Sequence, residues 1–402
     1  MSRKKVERIL IETASFDTGG LERVVLDSAL ILRDLGFEVT IFCTGPIGLL
    51  ANEARSEGLK VLSVRSKVKL IFHILNQRPT ITLSHFANYG YTVFYFFRIP
   101  NITFIHNVYA FLDKKQKNEI LKNDKYVSRY ISVSKSATRY AVEKLKLEPK
   151  KIATIPNGII VERHTLKENL ASELAFPLLD VINTDDFVFL NVAAYNLHKG
   201  HYLIVDALKQ VIRKYPNAKV VCIGSTVYEP HLAELKKVIS EEGLERNLIL
   251  GGYFPNTAPF YLRANCFLLP SFIEGWSIAM TEAMFYKLPM ILTETGGASE
   301  VIHDEDIGIL IRNEYGDVAN LDLEILNQLS YTPQSYKTTN DLCDAMINMI
   351  ENRHYWRDKA AASRSKVLSS YDFRNVVKMY VNEINFVTER KDKTCGVKDA
   401  KL

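Results

Sequence analysis

A strand, a helix and a second strand are predicted in residues 8–42, RILIETASFDTGGLERVVLDSALILRDLGFEVTIF. Apolar residues run through Arg8–Glu12, as in a buried strand, and recur through Leu21–Leu35 at nearly the helical period. Gly36 favours the end of that helix, and Glu38–Phe42 is the next apolar run. This order predicts two parallel strands joined by a crossover helix.

The same alternation continues to about residue 155 and then restarts. The predicted strands are Arg8–Glu12, Glu38–Phe42, Thr80–Ser84, Ile102–Ile105, Tyr130–Val133 and Ile152–Ile155, then Phe187–Ala193, Lys219–Ile223, Leu248–Leu250, Cys266–Leu269 and Met290–Leu292. We therefore predict two doubly wound α/β domains, residues 1–170 and 187–368, joined by a linker over 171–186. Because open parallel sheets bind ligands beyond the carboxyl ends of their strands, two such domains facing each other predict a cleft for an elongated ligand.

Composition excludes several classes of protein. The chain has 402 residues, of which 47% are hydrophobic and 24% charged, as in ordinary globular proteins. No apolar run reaches the roughly 18 residues of a spanning helix, and we expect no export signal. The five cysteines are scattered and odd in number, which argues against a disulfide framework. A cytoplasmic location is therefore expected, including the inner face of the membrane.

Charge is distributed unevenly along the chain. Residues 1–170 hold 27 Lys and Arg against 16 Asp and Glu, whereas the remainder holds 24 against 30. Eleven of the basic residues fall within 101–150, with aromatic residues among them. This pattern suits an anionic membrane surface or an acidic acceptor, although lysines coating solvated helices would give the same count. Nucleic acid is not expected as a partner, since no recognition motif accompanies the charge.

The most informative segment is residues 270–284, PSFIEGWSIAMTEAM. It follows a predicted buried strand, turns at Gly275 and begins a helix near Ser277, a favourable N-cap residue. Backbone N–H groups around Trp276–Ala279 would then attract an anion such as a diphosphate. Glu274 and Glu282 could accept hydrogen bonds from neutral hydroxyls on either side; equally, both could be ordinary solvated residues.

This segment resembles the Glu-x7-Glu signature of family 4 retaining glycosyltransferases, enzymes with the GT-B fold of two facing Rossmann-like domains. Further motifs resemble the family in the same order along the chain, namely Thr18–Val25, Ile155–Gly158, His198–Gly200 and Thr295–Glu300. The resemblance also implies that residues 369–388 form a helix that crosses back to the first domain. Residues 389–402, polar and rich in lysine, are expected to form a mobile tail.

Carried over to this sequence, the resemblance implies roles for individual residues. Glu274 would orient the transferred sugar, Lys199 would neutralise the diphosphate, and Glu282 would accept hydrogen bonds from the nucleotide ribose. His106 would contact the donor sugar. The remaining donor-binding residues implied are Gly19, Gly20, Gly275, Trp276, Ser277 and Ile278. From the residues alone, Lys199 could be a surface lysine, His106 a core histidine and the glycine pair a simple turn.

One position departs from the family pattern. Where the family has an arginine five residues before the phosphate lysine, this chain has Ala194. His198 or a basic group of the other domain would have to replace it. The departure leaves a non-catalytic nucleotide-sugar-binding protein as an alternative.

The sequence thus predicts a metal-independent, retaining, hexosyltransferase-type enzyme without a cofactor. It would move a sugar from a nucleotide-diphosphate sugar to an acceptor hydroxyl in the assembly of a cell-surface polysaccharide, lipopolysaccharide or glycolipid. The expected partners are the nucleotide sugar, a glycan or lipid-linked acceptor and an anionic membrane touched by the first domain. A sugar-nucleotide epimerase of the same fold is a second alternative. No phosphate-binding Walker sequence or complete Gly-x-Gly-x-x-Gly element occurs, which disfavours ATPases and dehydrogenases.

Overall fold

A computed structural model describes residues 7–171, 177–330 and 335–396, and within them the chain divides into two compact α/β units. Unit 1 comprises the described residues up to Asn107 together with 114–157 and those from Phe373 onward. Unit 2 comprises residues 108–113 and 158–372. Each unit is built on one sheet whose strands are all parallel.

The sheet of unit 1 has the strand order β3-β2-β1-β4-β5-β6-β7. Its strands are β1 Arg8–Thr13, β2 Glu38–Cys43, β3 Lys60–Ser63, β4 Ile81–His85, β5 Asn101–Ile105, β6 Arg129–Ser132 and β7 Ile152–Thr154. The six predicted strands are confirmed to within a residue or two. The sequence missed β3, a four-residue edge strand that is exposed or half-buried throughout and so carries no continuous apolar run.

The sheet of unit 2 has the order β10-β9-β8-β11-β12-β13. Its strands are β8 Phe187–Val192, β9 Ala218–Ile223, β10 Leu248–Gly252, β11 Cys266–Leu269, β12 Met290–Thr293 and β13 Gly308–Ile311. Strand β11 lies between β8 and β12, with Phe267 paired to Leu190 and to Met290. The loops that follow these three strands therefore meet at one edge of the sheet.

Helices cover both sheets. They are α1 Gly20–Asp34, α2 Leu49–Ser56, α3 Lys67–Gln77, α4 Tyr91–Phe96, α5 Lys114–Asn123, α6 Lys135–Glu143, α7 Val161–Leu170, α8 Pro177–Asp180, α9 His201–Lys214, α10 Glu229–Glu241, α11 Ala258–Arg263, α12 Ile278–Phe285, α13 Ala298–Glu305, α14 Leu323–Ser330, α15 Thr339–Glu351, α16 Arg353–Ala360, α17 Ser363–Lys366 and α18 Phe373–Gly396. Helix α1 confirms the predicted helix, and its buried face includes Val25, Ala29 and Leu32. The predicted class, α/β with two parallel sheets, is confirmed.

The unit boundary lies earlier than the sequence suggested. Unit 1 first ends at Asn157, not near residue 170, so α7 belongs to unit 2. Of the predicted linker over 171–186, residues 172–176 lie outside the described residues, and the described part, which includes α8, belongs to unit 2. The chain enters unit 2 beside the point where it leaves, since the N–H of Ile159 donates to the carbonyl of Tyr371 at 2.9 Å. This hydrogen bond holds the two connecting segments together.

Helix α18 belongs to unit 1 although it comes last in the chain. Tyr380 packs edge-on against Phe104 with ring centroids 5.0 Å apart, and Glu383 accepts from Arg129 at 2.6 Å. The helix begins at Phe373, after a π-helical turn over Val367–Tyr371. It continues through the first part of the predicted mobile tail to Gly396, and residues 397–402 lie outside the described residues.

Candidate functional site

Lys199 and Glu274 form an ion pair at the carboxyl edge of the second sheet. The Lys199 ammonium donates to Oε1 of Glu274 at 2.6 Å, and the same oxygen accepts from the Ser271 hydroxyl at 2.9 Å. Lys199 comes from the loop after β8, whereas Ser271 and Glu274 come from the loop after β11. Two residues 75 positions apart in sequence thus share one partly buried contact.

Gly200 makes that contact possible. Its φ of 72° is left-handed, and a Cβ at this position would lie 2.1 Å from the carbonyl oxygen of Pro270. A residue with a side chain would therefore be strained and would also push the loop away from the start of the 270–277 segment. The glycine of the His198–Gly200 motif thus fixes how closely Lys199 approaches Glu274.

A pair of adjacent glycines, Gly296 and Gly297, supports Glu274 from the other side. The N–H of Glu274 donates to the Thr295 hydroxyl at 3.2 Å. A Cβ on Gly296 would lie 2.4 Å from the carbonyl oxygen of Gly275, and one on Gly297 would lie 2.3 Å from the ring of Trp276. The close packing of these backbones holds the turn that carries Glu274 in place.

Helix α12 starts directly after this turn. Ser277 is the N-cap, as predicted, and its hydroxyl accepts from the N–H of Met280 at 3.3 Å. Trp276 is buried, its indole N–H donates to Thr281 at 3.0 Å, and its ring packs on Tyr371. The side chain of Trp276 is therefore part of the core, while Ser277 and Ile278 are half-buried.

Glu282 faces a polar cluster that sequence reasoning did not find. Its Oε2 accepts from the Tyr261 hydroxyl at 2.8 Å, and its Oε1 lies 3.5 Å from Nε2 of His164 on α7. Burial raises the pKa of the Glu282 carboxyl, while the Tyr261 hydrogen bond and the positive charges of Lys167 and Arg163 oppose that rise. Burial also lowers the pKa of His164 to about 3, so this imidazole is neutral near pH 7.

His198 does not replace the cation absent at Ala194. Burial, reinforced by the neighbouring Lys199 charge, lowers the pKa of His198 to about 4. The imidazole is therefore neutral near pH 7. In the loop after β8, Lys199 carries the positive charge by itself.

Three of the predicted site residues lie in unit 1, where His106 follows β5. Its Nε2 lies 3.0 Å from Nδ1 of His85, the last residue of β4. His85 is fully buried, and its ring stacks on that of Phe104 with centroids 4.1 Å apart. Burial lowers the pKa of His106 to about 4, and burial together with the neighbouring His106 lowers the pKa of His85 well below its usual value, so both are neutral near pH 7.

The buried surroundings favour one tautomer of this pair. Within the described residues Nε2 of His85 has no hydrogen-bond partner. A buried N–H without an acceptor is less tolerable than a buried lone pair, so we place the His85 proton on Nδ1, donating to His106. The His106 proton then lies on Nδ1.

Gly19 is the N-cap residue of α1 and Gly20 is its first residue, and both are exposed. Gly19 has a φ of 141°, and a Cβ there would lie 2.5 Å from a carboxylate oxygen of Glu22. A Cβ on Gly20 would meet nothing within 4 Å. Only Gly19 is therefore required by the local backbone.

Strand β1 carries a buried carboxyl that the sequence did not single out. Oε1 of Glu12 accepts from the N–H of Gly90 at 2.8 Å, and Oε2 lies 2.9 Å from the Ser84 hydroxyl. The Ser84 hydroxyl is also 3.0 Å from Oδ1 of Asn101. Burial raises the pKa of Glu12 to about 7.

Two family models match complementary parts of the chain. The model described as Glycosyltransferase Family 4 matches residues 18–163, and the model described as Glycosyl transferases group 1 matches residues 180–337. The second match contains the Lys199–Glu274 pair and Glu282. The first contains Gly19 and His106.

Individual proteins are similar over different lengths. The Escherichia coli UDP-Gal:alpha-D-GlcNAc-diphosphoundecaprenol alpha-1,3-galactosyltransferase is 23% identical over 373 residues, 83% of this chain and 95% of that protein. An uncharacterized glycosyltransferase of Methanocaldococcus jannaschii, MJ1059, is 29% identical over 175 residues, so the match spans only 42% of each chain. The crystal structure of Anabaena Alr3699/HepE in complex with UDP and glucose has a TM-score of 0.76 at 16% identity, covering 94% of this chain and 99% of that one.

Together these matches place the chain among the glycosyltransferases of the GT-B fold. The predicted fold is thereby confirmed, and so is the prediction of a glycosyltransferase, whereas its hexosyl type and its independence of metal ions stay predictions. Retention of configuration and the roles of the two glutamates stay predictions. Among the described residues, no group of three or more His, Cys, Asp or Glu side chains is arranged to hold a metal ion.

Proposed function

We propose that the protein transfers a sugar from a nucleotide-diphosphate sugar to an acceptor hydroxyl, with retention at the anomeric carbon. The observation that carries the proposal is the 2.6 Å contact between Lys199 and Glu274 beside the start of α12. An ammonium, backbone N–H groups and a carboxylate meet there, which suits a diphosphate joined to a sugar. The E. coli relative is named for a UDP-sugar donor, and Alr3699/HepE was crystallised with UDP and glucose.

The chemistry follows from charge development. As the bond between the sugar and the phosphate breaks, negative charge grows on the departing diphosphate. An ammonium has three N–H donors, and Glu274 takes one of them, so Lys199 can also donate to phosphate oxygens. Because Oε1 of Glu274 accepts from both Lys199 and Ser271, Oε2 is the oxygen that would accept from a sugar hydroxyl.

We further propose that Glu282 accepts from the nucleotide ribose and that His106 and the Gly19–Gly20 pair contact the donor. Glu282 keeps accepting capacity beside Tyr261, since each carboxylate oxygen has two lone pairs. His106 follows β5 and the glycine pair follows β1, so both lie at the carboxyl edge of the first sheet, where parallel sheets bind ligands. The reaction is proposed to need no metal ion, and turnover unchanged by EDTA is the expected result.

The acceptor is proposed to be a glycan or lipid-linked sugar in cell-surface polysaccharide, lipopolysaccharide or glycolipid assembly, at the inner face of the membrane. The name of the E. coli relative gives it a diphosphoundecaprenol-linked acceptor. In the described part of the chain no helix is both long and apolar enough to cross a bilayer. An enzyme of this kind would meet such an acceptor at a membrane surface.

A donor screen followed by product analysis tests the proposal. Thermal shifts with UDP-, GDP- and ADP-sugars identify the donor, since a ligand that binds only the folded state raises its stability. Proton NMR of the product then gives the anomeric configuration, and retention is expected. Inversion would contradict the mechanism, isomerised donor without transfer would indicate the epimerase alternative, and binding without turnover would indicate the non-catalytic one.

A variant pair tests the site itself. Glu274→Gln keeps the size of the side chain and removes the charge that faces Lys199, so kcat should fall while the fold is kept. Glu241→Gln, an exposed glutamate at the end of α10, is the control and should keep wild-type turnover. Equal turnover in both variants would remove Glu274 from the site.

A further inference from the structure

Helix α3 of unit 1 presents large apolar side chains to solvent. Val68, Phe72 and Leu75 follow the helical spacing of four and then three residues and are 75%, 61% and 55% exposed. Leu70 and Ile74 on the opposite side are buried. The helix therefore has one apolar face in the core and a second apolar face with no cover in this unit.

The neighbouring helix α4 adds two aromatic side chains. Tyr95 and Phe96 are 62% and 78% exposed, and the ammonium of Lys67 at the start of α3 donates to the Thr92 hydroxyl of α4 at 3.2 Å. Side by side, α3 and α4 thus expose five large apolar side chains, which we call the apolar face: Val68, Phe72, Leu75, Tyr95 and Phe96. Isolated exposed apolar residues are ordinary, but five on adjacent helices mark an interaction surface.

The stretch of chain that carries the apolar face has charge of one sign, while Glu119 of α5 accepts from Asn88 just before α4 at 2.9 Å. Residues 58–112 contain no Asp or Glu. They contain six basic residues, all exposed: Lys60, Arg65, Lys67, Lys69, Arg78 and Arg98. Outside this stretch, Tyr126 lies edge-on to Tyr95 with ring centroids 5.3 Å apart, and the Lys125 ammonium lies 4.9 Å from the Tyr126 ring centroid.

We propose that the apolar face and its basic border bind an anionic lipid surface. Aromatic and aliphatic side chains that project from a helix enter the boundary between headgroups and acyl chains, while Lys and Arg attract anionic headgroups. An acidic protein would match the charge, but it gives less reason for uncovered Phe and Leu side chains. The proposed contact lies over residues 67–98, upstream of the whole basic run at 101–150 that the sequence suggested.

This inference deepens the proposed function and rests on it only for the reason why the enzyme would sit on a membrane. The lipid-binding residues belong to α3 and α4, whereas the Lys199–Glu274 pair lies in unit 2. Vesicle binding can therefore be measured without a donor or turnover. A wild-type chain that binds vesicles but transfers no sugar from any nucleotide sugar would refute the proposed function. The proposal of a lipid-binding surface would be unaffected.

Flotation of the full chain with lipid vesicles tests the proposal. Binding is expected to vesicles of phosphatidylcholine with phosphatidylglycerol, to weaken as NaCl is raised, and to be weak on phosphatidylcholine alone. The double variant Phe72→Glu, Phe96→Glu should lose at least about tenfold in vesicle affinity, and Arg65→Gln with Lys69→Gln should weaken mainly the salt-dependent part. Tyr253→Glu, 61% exposed in unit 2, is the matched control and should bind as wild type.

Folding and self-association are checked on the same samples. All altered residues are exposed, so circular dichroism and the thermal midpoint should match wild type. Vesicle binding by the Phe72→Glu, Phe96→Glu variant equal to that of wild type would overturn the proposal. So would a wild-type dimer, seen by light scattering, that the same variant converts to a monomer, because the apolar face would then join two copies of this chain.

Discussion

Replacing Glu12 with glutamine should stabilise unit 1 at neutral and alkaline pH. Burial raises the pKa of this carboxyl to about 7. Donation from the N–H of Gly90 and from the Ser84 hydroxyl to the carboxylate opposes that rise, but the Ser84 contact also admits a protonated arrangement. The single Ser84 proton cannot serve both Glu12 Oε2 and Asn101 Oδ1, so both contacts become hydrogen bonds only when Oε2 carries a proton and donates to Ser84. A glutamine amide donates at the same place at every pH.

The size of the effect follows from the pKa difference between the folded and unfolded states. A shift from 4.5 to about 7 corresponds to about 3 kcal/mol, since each pKa unit is worth about 1.4 kcal/mol. The folded state binds the Glu12 proton more tightly than the unfolded state does. The contribution of Glu12 to the stability of the wild-type protein is therefore complete below the unfolded pKa and is lost as the pH rises through the folded pKa. Relative to wild type, the Glu12→Gln variant should gain about 1 kcal/mol at about pH 5 and about 3 kcal/mol above about pH 7.5.

Native-state hydrogen exchange of the amides of β1 and β4 measures this difference within unit 1, which avoids assuming that the two units unfold together. Glu57→Gln, an exposed glutamate after α2, is the control and should keep the wild-type pH profile. A difference between Glu12→Gln and wild type that is constant with pH would refute the reasoning. So would a variant less stable than wild type at about pH 8, because the buried charge would then be favourable.

Three further results are expected. Lys199→Ala should lower kcat by about 10²- to 10³-fold, the usual effect of losing one donor to a developing anion. Lys236 is exposed, so Lys236→Ala is the control and should leave kcat unchanged. Equal rates in the two variants would exclude Lys199 from the reaction. Gly200→Ala should destabilise unit 2 by about 1–3 kcal/mol more than Gly243→Ala, because both glycines have left-handed φ but only Gly200 has a backbone oxygen in the way; chemical denaturation compares them, and equal losses would contradict the clash. His106 should stay neutral down to about pH 5, since burial lowers its pKa to about 4, and its proton should lie on Nδ1; a nitrogen-15 spectrum showing imidazolium at about pH 6 would be inconsistent with that assignment.

The strands were predictable because parallel strands buried on both faces are continuous apolar runs. Strand β8 shows this, since all but its last residue is buried, and its bounds were predicted to within one residue. Strand β3 was not predictable for the same physical reason: at the sheet edge its four residues meet solvent and need no apolar run. Family motifs supplied the site residues, but no local pattern indicated His164, His85 or Glu12.

The sequence by itself determined the alternation of strands and helices and therefore the edge of each sheet where loops meet. It also placed Gly200, without which the loop carrying Lys199 could not approach Pro270. Only the tertiary structure decided which side chains carry charge. The pKa of a group depends on the water removed from it and on partners distant in sequence, as when Gly90 and Ser84 enclose Glu12 or Glu274 meets Lys199.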